Sequence, residues 1–352
     1  MSSHVSIVVN LEKLHILTVP SIVAVVISLR EIHMRKVLLA TTALVALGGV
    51  SAATADVSVS GSGTWNYRSW SDKAATGDDT STSTSTSFTI SGATTADSGM
   101  EFGGSHTITD GGANGASLYI SDDWGKITMG GASAGRAHNS FMKSTAASGG
   151  MGDITMANVH TTGRLGGAGG GNINYTSPAV NGVVVAASMK DAGGAAANVA
   201  DESAWSVSYD TDVSGVALGV DYSSISVDAA AGAATTDMSV MGATASMGDI
   251  TVMANSASED TSDGAKKIST TDYGIKYAVN GDMTVEAGSL SSENKGTTSN
   301  GAKLTRTHIG VSYVPAAGLE LEASSTSFDY TADSSTAKND GSETRVSVKV
   351  TF

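Results

Sequence analysis

The residues whose types and spacing could do chemistry are charged side chains that recur at alternate positions of extended segments. In RTHIGVSYV (306–314), polar positions beginning with Arg306 alternate with apolar positions from Ile309 to Tyr313. In DYGIKYAV (272–279), Asp272 and Lys276 lie on the face opposite the tyrosines. A row of fixed charges on one face of a sheet can orient and sort hydrated solutes, so the predicted chemistry is an electrostatic field along a wall.

The candidate wall charges share this placement on the polar face of an alternating segment. They are the bases Arg68, Lys276, Arg306, Arg345 and Lys349, and the acids Asp210, Asp221, Asp272, Glu286, Glu320 and Glu322. On a lipid-facing surface an Arg or Lys costs roughly 2 to 4 kcal/mol, so in a membrane-spanning sheet these side chains should face water. The alternative, ordinary solvated charges on a soluble β-sandwich, stays open here, and the sequence does not fix the sign of the field.

The other residues give little support for a catalytic function. The chain lacks the GxSxG, HExxH and GxxxxGK[ST] patterns, and its GGAGGG run (166–171) is typical of a loop. It contains 0 Cys, which excludes zinc ribbons and cysteine nucleophiles. A formal charge of −14 argues against a nucleic-acid partner. We expect no cofactor. An outer-membrane barrel enzyme stays an alternative if His106 and Asp110 face each other near a loop.

The amino terminus carries an export signal. From Met34, the run MRKVLLATTALVALGGVSAATA combines two basic residues, an apolar stretch and a small-x-small site that ends at Ala55. This pattern predicts a secretory signal peptide over 34–55, cleaved after Ala55, and a mature domain over 56–352. We expect residues 1–33 to be a mis-called extension upstream of the true start; a long signal or a retained anchor is the alternative.

After residue 55 the chain has the pattern of many short strands. Apolar and polar residues alternate with period two, and short turns recur near 97, 123, 180, 213, 248, 281 and 317. From 180 onward these turns are about 33 to 36 residues apart, which leaves room for two strands of about nine to eleven residues and one longer polar loop. The interval from 123 to 180 is longer, which predicts an insertion after the fifth strand.

Seven short turns between strand pairs predict an all-β fold, a sixteen-stranded antiparallel transmembrane β-barrel. Lipid cannot satisfy an open sheet edge, so strands that cross a bilayer have to close on themselves. The terminal segment RVSVKVTF alternates regularly up to Phe352, and we expect it to pair with the first strand. A barrel of this size leaves an aqueous channel.

The chain resembles the sixteen-stranded general diffusion porins of alphaproteobacteria, which are Gram-negative outer-membrane proteins. The resemblance lies in ADVSVSGSGTWNY (55–67), SDDWGKITMGG (121–131) and the terminal RVSVKVTF (345–352), in that order behind a signal peptide. It implies a homotrimer of water-filled barrels in the outer membrane, in contact with lipid and lipopolysaccharide. It also implies that Phe352 is the assembly signal through which the barrel-assembly machinery takes up the last strand.

The same resemblance implies a long third loop, here about 132–170, that folds into the lumen and forms the constriction. Its charged or titratable residues are Arg136, His138, Lys143, Asp153, His160 and Arg164. Family loops typically set acidic residues against basic residues of the wall, whereas this loop has three bases and one acid. The departure leaves the ion selectivity undefined.

Two further features leave alternatives open. Interfacial girdles and plain wall packing both fit the aromatic residues Trp65, Tyr67, Trp205, Tyr209, Tyr273 and Tyr277. Acidic loops could bind divalent cations at Asp78–Asp79 and at Glu259–Asp260 with Asp263. A plain solvated surface is the favoured interpretation of these residues. A secreted or surface-layer adhesin or β-solenoid shares the acidic, cysteine-free composition, but the chain has equal spacing without equal repeat sequences.

Overall fold

The computed structural model describes residues 56–71, 80–130, 137, 159–160, 172–191, 201–228, 234–298, 300–332 and 338–352. Residues 1–55, which include the predicted extension and signal peptide, lie outside this set, so the predicted cleavage site stays a prediction. In the described part of the chain, no helix is long and apolar enough to span a bilayer.

Sixteen β-strands account for most of the described residues. In chain order they are β1 (Asp56–Ser71), β2 (Thr80–Thr95), β3 (Glu101–Thr109), β4 (Gly112–Asp122), β5 (Gly125–Gly130), β6 (Asn172–Thr176), β7 (Val183–Lys190), β8 (Glu202–Val213), β9 (Val216–Val227), β10 (Thr236–Met247), β11 (Ile250–Thr261), β12 (Lys267–Asn280), β13 (Met283–Asn294), β14 (Lys303–Ala316), β15 (Leu319–Thr331) and β16 (Lys338–Thr351). Short turns join them at each of the seven predicted positions, and the long insertion follows β5, as predicted.

Each strand pairs antiparallel with its neighbours in sequence, and β1 pairs with β16 to close the barrel. The closing ladder aligns Trp65 with Val348 and Arg68 with Arg345. At its end the N–H of Gly61 donates to the carbonyl of Phe352 (2.7 Å), and the N–H of Phe352 donates back to Gly61 (3.0 Å). Closure leaves no free edge to lipid, which confirms the sixteen-stranded barrel and the pairing expected of the last strand.

The turn between β6 and β7 shows why short connections suffice at one end of the barrel. Asn181 and Gly182 both have positive φ, 51° and 84°, which is the conformation that an Asn-Gly pair adopts in a tight hairpin. A Cβ on Gly182 would lie 2.3 Å from the carbonyl oxygen of Asp210, so glycine also permits the close approach of β8. In outer-membrane barrels the short turns face the periplasm, which places the longer connections outside.

The outward face near the short-turn end is apolar. Exposed side chains there include those of Val57, Ile275, Val311 and Val350. The six aromatic residues that suggested girdles are all exposed: Trp65, Tyr67, Trp205, Tyr209, Tyr273 and Tyr277. Nearer the other end the outward positions carry hydroxyls, which bond across strands in pairs such as Thr307 and Ser327 (2.6 Å). This banding is what a bilayer imposes on a barrel wall.

Candidate functional site

The predicted wall charges lie on the inner face of the barrel. The register aligns Lys276 with Glu286 and Glu320 with Lys349, and the neighbouring positions carry the exposed apolar side chains of the outer face. The same strand periodicity places the remaining members inward: Arg68, Arg306, Arg345, Asp210, Asp221, Asp272 and Glu322. Alternation therefore identified the face of each charge, because successive side chains of a strand point to opposite sides.

Most wall bases that reach the lumen are paired with a carboxylate on the next strand. Arg345 lies 3.1 Å from Glu322, and Lys349 lies 3.3 Å from Glu320. Lys276 lies 3.5 Å from Glu286. The Nε2 atom of His308 also lies 3.1 Å from a Glu286 oxygen. Cross-strand pairing of opposite charges reduces the field that β12–β16 project into the lumen.

Three predicted wall charges do not face open water, so the expectation that all of them do is wrong for Arg306, Asp272 and Asp221, the last of which is 3% exposed. Arg306 is 1% exposed and Asp272 is 2% exposed. Arg306 interacts electrostatically with Asp272 and with Glu343, which is itself 2% exposed and accepts a hydrogen bond from the Trp70 indole (3.0 Å). These charges form a buried part of the wall, where mutual attraction offsets their loss of hydration.

Several inward charges were not in the predicted set although they follow the same alternation. Lys190 and Glu202 are cross-strand neighbours on β7 and β8 and are buried. At the short-turn end, the Lys126 ammonium lies 4.0 Å from the centre of the Tyr119 ring, and the Tyr119 hydroxyl donates to Glu101. The period-two pattern could have identified all five of these residues, since it does not depend on long-range contacts.

Two described points of the connection between β5 and β6 touch the inner wall. The Ala137 N–H donates to Ser188 (3.0 Å), and Ser206 donates to the Ala137 carbonyl (2.6 Å). Val159 packs in a cluster with inward side chains that include Leu304 and Phe328. Ala137 therefore contacts β7 and β8, and Val159 contacts β13–β15.

His160 binds the wall through its backbone and its ring. Its N–H donates to Ser292 (2.9 Å), and Nδ1 lies 3.0 Å from the Thr270 hydroxyl. Its Nε2 lies 2.9 Å from Glu259, which also accepts from Lys266 (2.9 Å). The remaining predicted constriction residues, Arg136, His138, Lys143, Asp153 and Arg164, lie outside the described residues.

Replacing Ser292 with alanine is expected to speed hydrogen exchange of the His160 amide by roughly fivefold, because loss of a hydrogen bond of about 1 kcal/mol lowers protection by that factor. Ser292 supplies the acceptor for this amide, and Thr270 bonds to the same hydroxyl. Amide exchange followed by mass spectrometry measures the effect. Ser289→Ala, on the outward face of the same strand, is the matched control and should leave this amide unchanged; equal rates in both variants would contradict the prediction.

The acidic residues suggested for divalent cations do not form one cluster. Glu259 lies on β11 and points into the lumen, whereas Asp260 is its neighbour on the opposite face. Asp263 lies in the following loop, where the Ala265 N–H donates to it (2.9 Å) and holds the pKa of this carboxyl below its usual value. Among the described residues no group of three metal-ligating side chains is found, and Asp78–Asp79 lie outside them.

His106 and Asp110 also do not meet, which removes the residue pair that kept a barrel enzyme open. His106 shares the outward face of β3 with Phe102 and Ile108. Asp110 lies in the turn after β3 and accepts hydrogen bonds from the backbone and hydroxyl of Thr86. A proton relay between the two side chains therefore has no geometric basis.

A closed wall, an apolar outer band and a charged inner face define a transmembrane β-barrel with an aqueous lumen. A family model described as Gram-negative porin matches residues 40–351. The chain belongs to the Gram-negative porin family and is an outer-membrane channel for passive diffusion. Enzymes are not typical of this family.

Solved structures share this fold at low sequence identity. The chain is similar to a porin variant from Rhodobacter blastica with 20% identity and a TM-score of 0.60, over 84% of this chain and 100% of that one. It is also similar to loop-deleted OmpT, an outer-membrane protein of Vibrio cholerae, with 14% identity and a TM-score of 0.61, over 85% and 99% of the two chains. A comparison with curated proteins gives no match.

Proposed function

We propose that this porin passes ions and small hydrophilic solutes down their gradients through a lumen narrowed by the connection between β5 and β6, with no bond made or broken. The observation that carries the proposal is the contact of Ala137, Val159 and His160 with inward-facing residues of the wall. A connection held at the wall leaves a smaller cross-section for water than the sixteen-stranded barrel alone.

Single-channel conductance in a planar bilayer tests this proposal. The mature protein, extracted from outer membranes in detergent, should give large, stepwise, ohmic currents across a salt gradient. Current steps in multiples of three would support the trimer. Insertion into the bilayer without conductance would contradict the channel, and the protein would then be a plugged barrel or an outer-membrane enzyme.

The constriction is proposed to draw its charge from Arg136, Lys143 and Arg164, opposed by Asp153, with His138 and His160 as titratable neighbours. Its basic excess on the loop departs from the usual family pattern, so its field depends on the wall that it faces. Neutralising the three bases together should shift the reversal potential toward cations. An unchanged reversal potential would show that these side chains do not meet the permeant ions.

We propose that three copies meet through the outward faces of β1–β3. Gly63 and Gly104 leave this face flat at membrane depth, and His106 would be costly to place against lipid. A protein neighbour satisfies both features better than acyl chains do. If His106 bonds across this interface, His106→Leu should leave the barrel closed but reduce the trimer fraction on unheated gels. An unchanged trimer fraction would show that His106 makes no such bond.

The remaining partners follow from the outer-membrane location. We propose that lipopolysaccharide contacts the outward hydroxyls near the long-loop end, where Ser239 and Ser258 bond across strands (3.0 Å) and Asp260 lies on the same face. Export through the signal at 34–55 and uptake by the assembly machinery through Phe352 complete the proposed route. Sequencing the amino terminus of the mature protein tests the first step, with residue 56 as the expected start.

A further inference from the structure

The described inner wall has two unlike halves. The described residues of the connection between β5 and β6 contact strands β7 to β15 and none of β1–β4. On the contacted half, inward hydroxyls are covered: Thr270 is 2% exposed, and Ser292 and Ser206 are both 0% exposed. On the other half, Ser83 and Ser85 of β2 are exposed to the lumen. Exposed inward hydroxyls therefore lie along β1 and β2, on the half of the wall that these described residues do not contact.

The open half is lined by hydroxyl groups. Each inward position of β2 from Ser81 to Ser91 is a serine or threonine, and so is each inward position of β1 from 58 to 64 and of β3 from 105 to 109. Among the described residues of these strands, the inward charges lie at the ends of the wall, with Asp56 and Glu101 at the short-turn end and Arg68 toward the other. Between them the wall is polar and uncharged.

These hydroxyls bond to one another but keep capacity for a solute. Ser58 and Ser91 are 2.8 Å apart and Thr89 and Thr107 are 3.0 Å apart, whereas the pair that joins β3 to β4, Ser105 and Ser117 at 2.9 Å, includes a buried serine at Ser117. A hydroxyl carries one donor and two acceptor positions, so each pair uses one hydrogen and leaves the second free. Such a wall can replace water around the hydroxyls of a sugar without removing water from an ion.

The charged half adds little to this path. Its exposed bases are matched by carboxylates in the pairs Arg345–Glu322 and Lys349–Glu320. Arg306 is buried with Asp272 and Glu343. Opposite charges a few ångströms apart largely cancel beyond a Debye length of about 8 Å at physiological salt. A solute that moves along β1–β4 therefore meets hydrogen-bonding groups before it meets a net field.

We infer that the solute path follows the hydroxyl wall of β1–β4 and that its solutes are uncharged polyhydroxyl compounds, monosaccharides and polyols. The inference rests on the proposed passive channel and names its solute class. It means that the open wall sorts solutes of equal size weakly by charge, so charge selectivity depends on the bases proposed for the constriction. A pore whose open wall carried a basic cluster would instead favour anions.

Osmotic swelling of liposomes that contain the mature protein tests the inference with glucose, gluconate and glucosamine, which are similar in size and differ in charge. With the loop bases Arg136, Lys143 and Arg164 neutralised, the protein should admit the three within about twofold of one another, since the open wall carries no charged residue between its ends. Ser83→Asp/Ser85→Asp should slow gluconate by about threefold relative to Ser83→Asn/Ser85→Asn, because Asp and Asn differ in charge and hardly in size. Glucose should enter both variants at the same rate.

Each outcome bears on a different claim. Equal gluconate rates in the Asp and Asn variants would show that the path does not follow β2 and would overturn the inference. A protein without the three loop bases that still separates gluconate from glucosamine by tenfold or more would overturn it as well, since the wall along the path would then be electrostatic. If the wild type admitted none of the three solutes, the passive channel itself would fail and the solute class with it.

Discussion

Replacing Arg306 with methionine is expected to lower the free energy of unfolding of the barrel by about 3 kcal/mol, because removal of one member leaves buried charges uncompensated. Arg306 is 1% exposed and lies among Asp272 and Glu343, each 2% exposed. Methionine keeps most of the length of the side chain and removes its charge. Urea titration of the purified protein, followed by the loss of its heat-resistant gel band, measures the change.

Lys349→Met is the matched control, since it also removes an inward base from a carboxylate pair. Its side chain is 46% exposed and lies 3.3 Å from Glu320, so its loss should cost about 0 to 1 kcal/mol. The double variant Arg306→Met/Asp272→Asn should recover part of the loss, because it also removes one of the stranded charges. Equal effects of Arg306→Met and Lys349→Met would mean that burial does not set the strength of the wall pairs.

The fold was predictable because a barrel wall is specified by local patterns. Alternation gave the face of residues such as Lys276 and Tyr277, and it needs no knowledge of distant segments. Turn chemistry gave the number of strands, as the Asn181–Gly182 pair shows. Closure then follows from the membrane, since an even set of two-sided strands with an open edge has no stable arrangement in lipid.

Burial of wall charges was not predictable from the same patterns. Alternation assigns Arg306 and Lys276 to one face but does not say that the first is 1% exposed while the side chain of the second is 40% exposed. That difference depends on what lies against each residue inside the lumen. His160 and Glu259, which meet there, are 99 residues apart in sequence. Such contacts leave no periodic signal.

The assignment of Glu259 to a loop was wrong because the strands continue past the apolar band. β11 extends to Thr261, and its outward positions change from Val252 to Ser258 along the way. Polar residues at the end of a strand have the composition of a loop, so sequence places the boundary too early. The same extension explains why the inward position at Glu259 is available to bind His160 and Lys266.

Phe352→Ala is expected to reduce the amount of assembled porin in outer membranes severalfold, because the terminal phenylalanine is the proposed assembly signal. The residue also has a structural role that has to be separated from this one. Its ring packs edge-on against Phe88 with centroids 5.7 Å apart, and it lies across Gly61 on the closing strand. Loss of such an aromatic pair costs about 1 kcal/mol in the folded barrel.

Gly61→Ala separates the two roles. A Cβ at this position would lie 2.6 Å from the Phe352 ring, so the ring has to move away while the terminal residue stays phenylalanine. Both variants should therefore lower the urea midpoint of the extracted protein by similar amounts. If the machinery reads Phe352 before the barrel closes, Gly61→Ala assembles at nearly the wild-type level while Phe352→Ala does not. If both variants lose assembly equally, packing between β1 and β16 explains the loss. In both variants the aromatic ring at position 352 no longer packs over position 61 when β16 pairs with β1.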